Sequence, residues 1–168
     1  MDGIPYEIER KFLIAYPDLE WLEKHAERTD IEQTYLNTEV PGETARVRKR
    51  DRDGVYQYTH TRKTKLTALR RIEREREISR EEYEALLLQA DPKRRTIRKS
   101  RYCLPYMGQM LEIDVFPFWT DRAYLEIELR EEEQRVHIPE RFRILREVTA
   151  DPRYTNAALA AQIPFDDL

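Results

Sequence analysis

The chain of 168 residues carries 30 Lys and Arg against 33 Asp and Glu, a net charge of −3, with 40% apolar and 38% charged residues. This balance argues against a generally basic nucleic-acid binder, and ten Tyr among many β-branched residues argue against disorder. No apolar run approaches the roughly 18 residues of a membrane span. The opening MDGIPYEIERKF also lacks the apolar stretch of a signal peptide, so the reading is one folded, cytoplasmic domain over 1–168.

In chain order, period-two alternation predicts a strand over 4–15, and Leu19, Leu22 and Ala26 at helical spacing predict a helix over 17–27. Strands follow over 30–36, 44–50, 55–63 and 70–78, with turn residues at Pro41-Gly42 and Asp53-Gly54. Ser79 and the acids after it open a second helix, SREEYEALLLQA. Strands over 96–104, 110–116 and 123–130 then flank Met107-Gly108 and Pro117, and NAALAAQ after Asp151-Pro152 reads as a short helix. The count is about eight strands. Cys103 has no partner for a disulfide and is expected in the core, and His25, His60 and His137 lack the spacing of metal ligands. The run REEEQR at 130–135 reads as a solvated loop.

The alternation places charge on one face of strand after strand. Glu7, Glu9 and Lys11 share a face, as do Arg46 and Arg48, Glu75 and Glu77, Lys99 and Arg101, Glu112 and Asp114, and Glu126 and Glu128. A solvated charged face is the ordinary use of such a pattern. Same-sign neighbours on one face repel, however, and an open sheet has little reason to keep them together. If the strands close into a barrel, those faces line a cavity with acidic and basic patches suited to a polyanion and hard divalent cations. The basic run KRRTIRKSR at 93–101 fits a compact polyanion as well as it fits nucleic acid. On the strand over 70–78, Arg74 and Arg76 interleave with Glu73, Glu75 and Glu77, so one of its two charged faces is expected to meet solvent.

The motif Glu7-Ile8-Glu9-Arg10-Lys11 resembles the ExExK signature of the CYTH family of triphosphate tunnel metalloenzymes. Further elements follow in the family's order: Gln33-Thr34-Tyr35-Leu36, Arg46-Val47-Arg48, Thr61-Arg62-Lys63, Glu75-Arg76-Glu77-Ile78 and Lys99-Ser100-Arg101-Tyr102. Glu112-Ile113-Asp114-Val115-Phe116, Leu125-Glu126-Ile127-Glu128-Leu129 and the tail from Val148 to Asn156 complete a resemblance that spans nearly the whole chain.

The resemblance implies a mainly β, α+β fold: an eight-stranded antiparallel β-barrel, the triphosphate tunnel, with a few flanking helices. It implies metal-dependent hydrolysis of a triphosphate, with inorganic tripolyphosphate the first expectation. Class IV adenylate cyclase, thiamine triphosphatase and non-catalytic polyphosphate binding are the alternatives. By the same resemblance, Lys11, Arg46, Arg48, Lys63, Lys99 and Arg101 bind phosphate, and Glu7, Glu9, Glu126 and Glu128 hold Mg²⁺ or Mn²⁺. Lys11 joins those carboxylates in the catalytic set, while Glu75, Glu77, Glu112 and Asp114 support the others. The partner is a small triphosphate-containing molecule, with neither nucleic acid nor membrane expected.

Overall fold

The computed structural model describes residues 6–168, so Ile4 and Pro5 of the first expected strand lie outside the described residues. Along the chain run β1 (Tyr6–Ala15), α1 (Leu19–His25), β2 (Glu27–Leu36), β3 (Glu43–Arg52), β4 (Val55–Lys65) and β5 (Arg70–Ile78). They are followed by α2 (Arg80–Leu86), β6 (Ile97–Tyr106), β7 (Gln109–Val115), β8 (Arg122–Glu128), β9 (Ile144–Glu147) and α3 (Asn156–Ala161).

Neighbouring strands pair in the order β5-β4-β3-β2-β6-β7-β8-β1-β9, and a β1–β5 pairing closes the first eight into a barrel. Closure rests on Tyr6, Glu7 and Ile8 opposite Ile72, Arg71 and Arg70. Further along the same edge of β1, Phe12 to Ile14 pair instead with β9, with a register shift between Leu13 and Ile14. The irregularity lets one strand edge serve two partners.

The hairpins explain why several strands outrun their expected limits. Arg52 faces Val55 and Tyr106 faces Gln109, leaving two-residue turns. Both central residues of each turn have positive φ: Asp53 at 52° and Gly54 at 82°, and Met107 at 50° and Gly108 at 74°. Those turns match the twist of the flanking strands, so pairing continues to the turn itself. The strand β9 was not anticipated, because Ile144-Leu145-Arg146-Glu147 is too short to show a period and forms only against the free edge of β1.

The apolar residues alternate with the charged ones and pack outside the barrel. Ile8, Phe12, Leu111, Ile113, Leu125 and Ile127 form a core covered by Leu22 of α1 and by Phe142. Val47, Ala45 and Ile78 are covered by Tyr83 of α2. Arg74 and Arg76 on the outer face of β5 are exposed, as the mixed charge of that strand suggests.

A third cluster lies at one end of the barrel, where Leu13, Tyr35, Ile97 and Tyr124 meet Trp119, Tyr154 and Leu159. Apolar packing and α3 thus stop that end, and the interior beyond it is left to charge. Cys103 follows Arg101 by two residues and is half-buried on the inner face, which corrects its expected place in the core. Among the described residues no helix is long and apolar enough to cross a membrane.

Candidate active site

A cavity of about 310 Å³ occupies the barrel interior. Its basic wall begins on β3, where Arg46, Arg48 and Arg50 point inward at every second position, and continues through Lys63 on β4 and Arg101 on β6. Arg48 is buried, and its Nε donates to Gln33 Oε1 at 2.8 Å. Among the described residues no carboxylate lies within ion-pair distance of it. Burial, then the charges of Arg46, Arg101 and Arg50, push the Arg48 guanidinium well below its ordinary pKa.

The other two arginines that β3 sends into the cavity are incompletely paired as well. Arg46 is buried with an Nε that has no hydrogen-bond partner, and its nearest carboxylate, Glu73, is 4.0 Å away. Arg50 donates to Thr59 Oγ1 at 3.0 Å and stands 3.8 Å from Glu75. Burial of Arg46 is outweighed by Tyr35, Glu73 and Glu7, whereas at Arg48 and Arg50 burial prevails. The three converging guanidinium groups thus leave a deficit of negative charge around Arg48 and Arg50 that a bound polyanion would supply.

The opposite wall is acidic. In the ladder Glu9 of β1 faces Glu128 of β8, and Glu126 of β8 faces Glu112 of β7. Directly opposed like charges destabilise a sheet. The effect appears in the side chains: burial, followed by Glu7 and Glu9, raises the Glu128 carboxyl above its ordinary pKa. Burial also raises Glu112, where Arg101 opposes and Glu126 and Asp114 reinforce the shift. Glu7 Oε2 and Glu126 Oε1 are buried without a hydrogen bond. Lys63 lies 3.1 Å from the first and Lys11 lies 3.3 Å from the second, close enough for ion pairs but misaligned for hydrogen bonds.

Such orphaned, mutually repelling oxygens suit a hard cation. Among the described residues, however, no three Asp, Glu, His or Cys side chains gather closely enough to hold one unaided. A divalent cation held here would therefore need ligands beyond the protein's own, such as the phosphate oxygens of a substrate.

Behind the walls lies a buried brace. Asp114 accepts from Lys99 Nζ at 2.7 Å and from Arg101 Nε and Nη2 at 2.8 and 2.9 Å. Burial alone would raise the Asp114 carboxyl, but Arg101 and then Lys99 outweigh it and hold it well below the usual range. Desolvation of Arg101 is likewise outweighed, by Asp114, Glu112 and Glu126, and its guanidinium stays firmly charged. Lys11 Nζ donates to the carbonyl of Tyr154 at 3.1 Å and sits 4.7 Å above the Tyr124 ring.

The structure therefore brings Glu7, Glu9, Arg46, Arg48, Lys63, Glu75, Arg101, Glu112, Glu126 and Glu128 to one cavity. Lys11, Lys99 and Asp114 are buried beneath its surface rather than in its lining, and Glu77 is exposed beyond its end. Sequence reasoning missed Arg50, Lys65, Arg71 and Glu73, which also line it. The same alternation held the signal: Arg50 continues the series of Arg46 and Arg48, and Arg71 and Glu73 precede Glu75 by four and two positions.

A closed antiparallel barrel with a charged interior defines a tunnel protein, and comparison with known proteins agrees. The CYTH domain family matches residues 5–154, and the chain belongs to that family. It is 37% identical over 163 residues to the inorganic triphosphatase of Nitrosomonas europaea, covering 94% of this chain and 99% of that one. A solved inorganic triphosphatase structure superposes with a TM-score of 0.59 at 32% identity, covering 98% of each chain. A Hippeastrum protein described as a putative adenylyl cyclase with a dominant triphosphatase activity shares the fold, with a TM-score of 0.53 at 18% identity over 74% of this chain and 80% of that one.

Proposed function

We propose that this protein is a divalent-metal-dependent triphosphatase whose substrate is inorganic tripolyphosphate, bound along the tunnel. The observation that carries the reading is Arg48, a buried guanidinium among Arg46, Arg50 and Arg101 that lacks a carboxylate partner among the described residues. The 37% identity to an inorganic triphosphatase, extending over 94% of this chain, supports the same substrate.

Arg46, Arg48, Arg50, Lys63 and Arg101 hold the phosphate oxygens and neutralise their charge, with guanidinium forks suited to two oxygens at once. Glu7, Glu9, Glu126 and Glu128 would hold the ion, Mg²⁺ or Mn²⁺, together with the substrate. The chemistry such an ion supplies is neutralisation of phosphoryl charge and activation of water. Water attacks the terminal phosphorus in line, the P–O–P bond to the next phosphate breaks, and pyrophosphate departs as its negative charge is met by the basic wall. Lys11 acts by positioning Glu126, and Lys99 and Asp114 act by holding Arg101. Glu75, which accepts from Thr61 Oγ1 at 2.8 Å, steadies the lining near Arg50.

An inorganic substrate is favoured over a nucleotide because the cavity is walled by charge, with Tyr35 its one aromatic residue among the described residues. A base would find Tyr35 alone to stack on among those residues, and that ring is itself buried in the apolar cluster at the end of the barrel. A tunnel of this volume also excludes a nucleic-acid duplex, and we assign the reaction to the cytoplasm within a single domain. The test is phosphate release from tripolyphosphate with Mg²⁺ or Mn²⁺, repeated with excess EDTA. Metal-dependent release supports the proposal, whereas no release under either metal, or equal release in EDTA, overturns it.

A further inference from the structure

The C-terminal segment touches the tunnel in a way that the residues of the barrel strands do not account for. Thr155, Asn156 and Ala157 line the cavity beside the basic wall, just past residue 154 where the family match ends. The segment is held firmly: Thr155 Oγ1 caps α3 by accepting from the backbone N–H of Ala158 at 3.0 Å, and Leu159 and Ala160 are buried in the apolar end of the barrel.

Asn156 has one identified polar contact, in which its Oδ1 accepts from Lys99 Nζ at 3.3 Å. The orientation of this amide follows from chemistry. Lys99 is already donating to Asp114 and offers hydrogens, not an acceptor, to its second neighbour. With Oδ1 turned to Lys99, the two hydrogens of Nδ2 are left over, on a side chain that borders the cavity. Among the described residues they meet no protein acceptor.

We propose that Asn156 is a further substrate-binding residue: its Nδ2 donates to a phosphate oxygen of the triphosphate, while its Oδ1 stays on Lys99. The carboxamide thereby couples the buried Lys99–Asp114–Arg101 brace to the ligand and adds an uncharged donor to an otherwise cationic set. This inference rests on the tunnel as the triphosphate site.

Asn156→Asp separates the two halves of the role. An aspartate keeps an oxygen for Lys99 but puts a second oxygen where the donor stood, facing phosphate. Asn156→Ala removes the donor without adding charge. Binding of inorganic tripolyphosphate to the metal-free protein is measured by calorimetry for the parent, both Asn156 variants and Arg48→Ala, alongside their melting temperatures. The expected result is roughly tenfold weaker binding for Asn156→Ala, as for loss of one hydrogen bond to a charged group. Binding by Asn156→Asp should be weaker still, although its melting temperature is not lowered.

If Asn156 only supports Lys99, Asn156→Asp binds as tightly as the parent and only Asn156→Ala melts earlier. That pattern overturns the inference. Should Asn156→Asp fail to fold, parent-like binding by Asn156→Ala overturns it equally. Weakened binding in Arg48→Ala with none in either Asn156 variant removes Asn156 alone. A parent that binds no tripolyphosphate, or an Arg48→Ala variant that binds normally, overturns the tunnel reading and this inference with it.

Discussion

Lys99 Nζ and Asp114 Oδ2 stand 2.7 Å apart with neither side chain reaching solvent, beneath the wall of the tunnel rather than in it. Asp114 also takes both near nitrogens of Arg101, so one carboxylate is shared by two cations, while Glu112 pairs with the third nitrogen of Arg101.

Removing that carboxylate should therefore cost far more than removing a surface charge. Asp114→Asn is expected to lower stability by about 3–5 kcal/mol, the range for one partner lost from a buried pair. Denaturant unfolding at neutral pH checks it. The sign with pH follows from the depressed folded-state value of Asp114. Its contribution is fully present above the unfolded carboxylate value of about 3.9 and is lost as pH falls through the lower folded value. The parent should lose stability through this acid window, and Asp114→Asn should lose less there.

The pair between Arg10 and Glu147, which ties β9 to β1, offers the contrast. Its side chains are 28% and 38% exposed, so solvent already screens them. Arg10→Ala is expected to change stability by less than about 1 kcal/mol and to leave tripolyphosphate turnover unaltered. A large loss of either would mean that β9 reaches the site through Lys11, whose backbone N–H donates to Thr149 Oγ1 at 3.0 Å.

Much of the site was legible because a strand has a period of two. Once Glu7, Glu9, Arg46, Arg48, Glu126 and Glu128 are put on one face each, only closure is needed to bring them together. What the period could not distinguish was depth along the barrel axis. Lys99 and Lys63 both face inward, yet Lys99 sinks onto Asp114 near the apolar end while Lys63 stays in the lining. Glu77 shares a face with Glu75 but lies past the cavity. The closing contact of Glu7 with Arg71, the strand β9 and the place of Asn156 all depend on segments distant in sequence. No local pattern encodes such meetings.

Carboxylates on the acidic wall should govern metal use. Glu9→Gln and Glu126→Gln are each expected to lower metal-dependent turnover at least about tenfold with the fold intact, since a neutral amide is a poorer ligand for a hard cation. Activity titrated against Mg²⁺ and Mn²⁺, with circular dichroism as the control, provides the check. Unchanged titrations in both variants would remove these residues from the ion site.

Arg48→Ala should weaken tripolyphosphate binding by about 2–4 kcal/mol, as when one member of a buried charge set is truncated. Combined with Arg101→Ala in a double-mutant cycle, the losses should be non-additive, because both groups meet the same short anion. Small and strictly additive losses would mean that the two arginines act as separate surface charges.

The central claim is tested most directly by product identity. The protein is incubated with tripolyphosphate, ATP or thiamine triphosphate in Mg²⁺ or Mn²⁺, and phosphate, pyrophosphate and nucleotide products are separated by ion chromatography. The account predicts one phosphate and one pyrophosphate per tripolyphosphate, turned over faster than either organic triphosphate and halted by EDTA. An intact tripolyphosphate pool, or cyclic nucleotide and pyrophosphate from ATP as the main products, would contradict it.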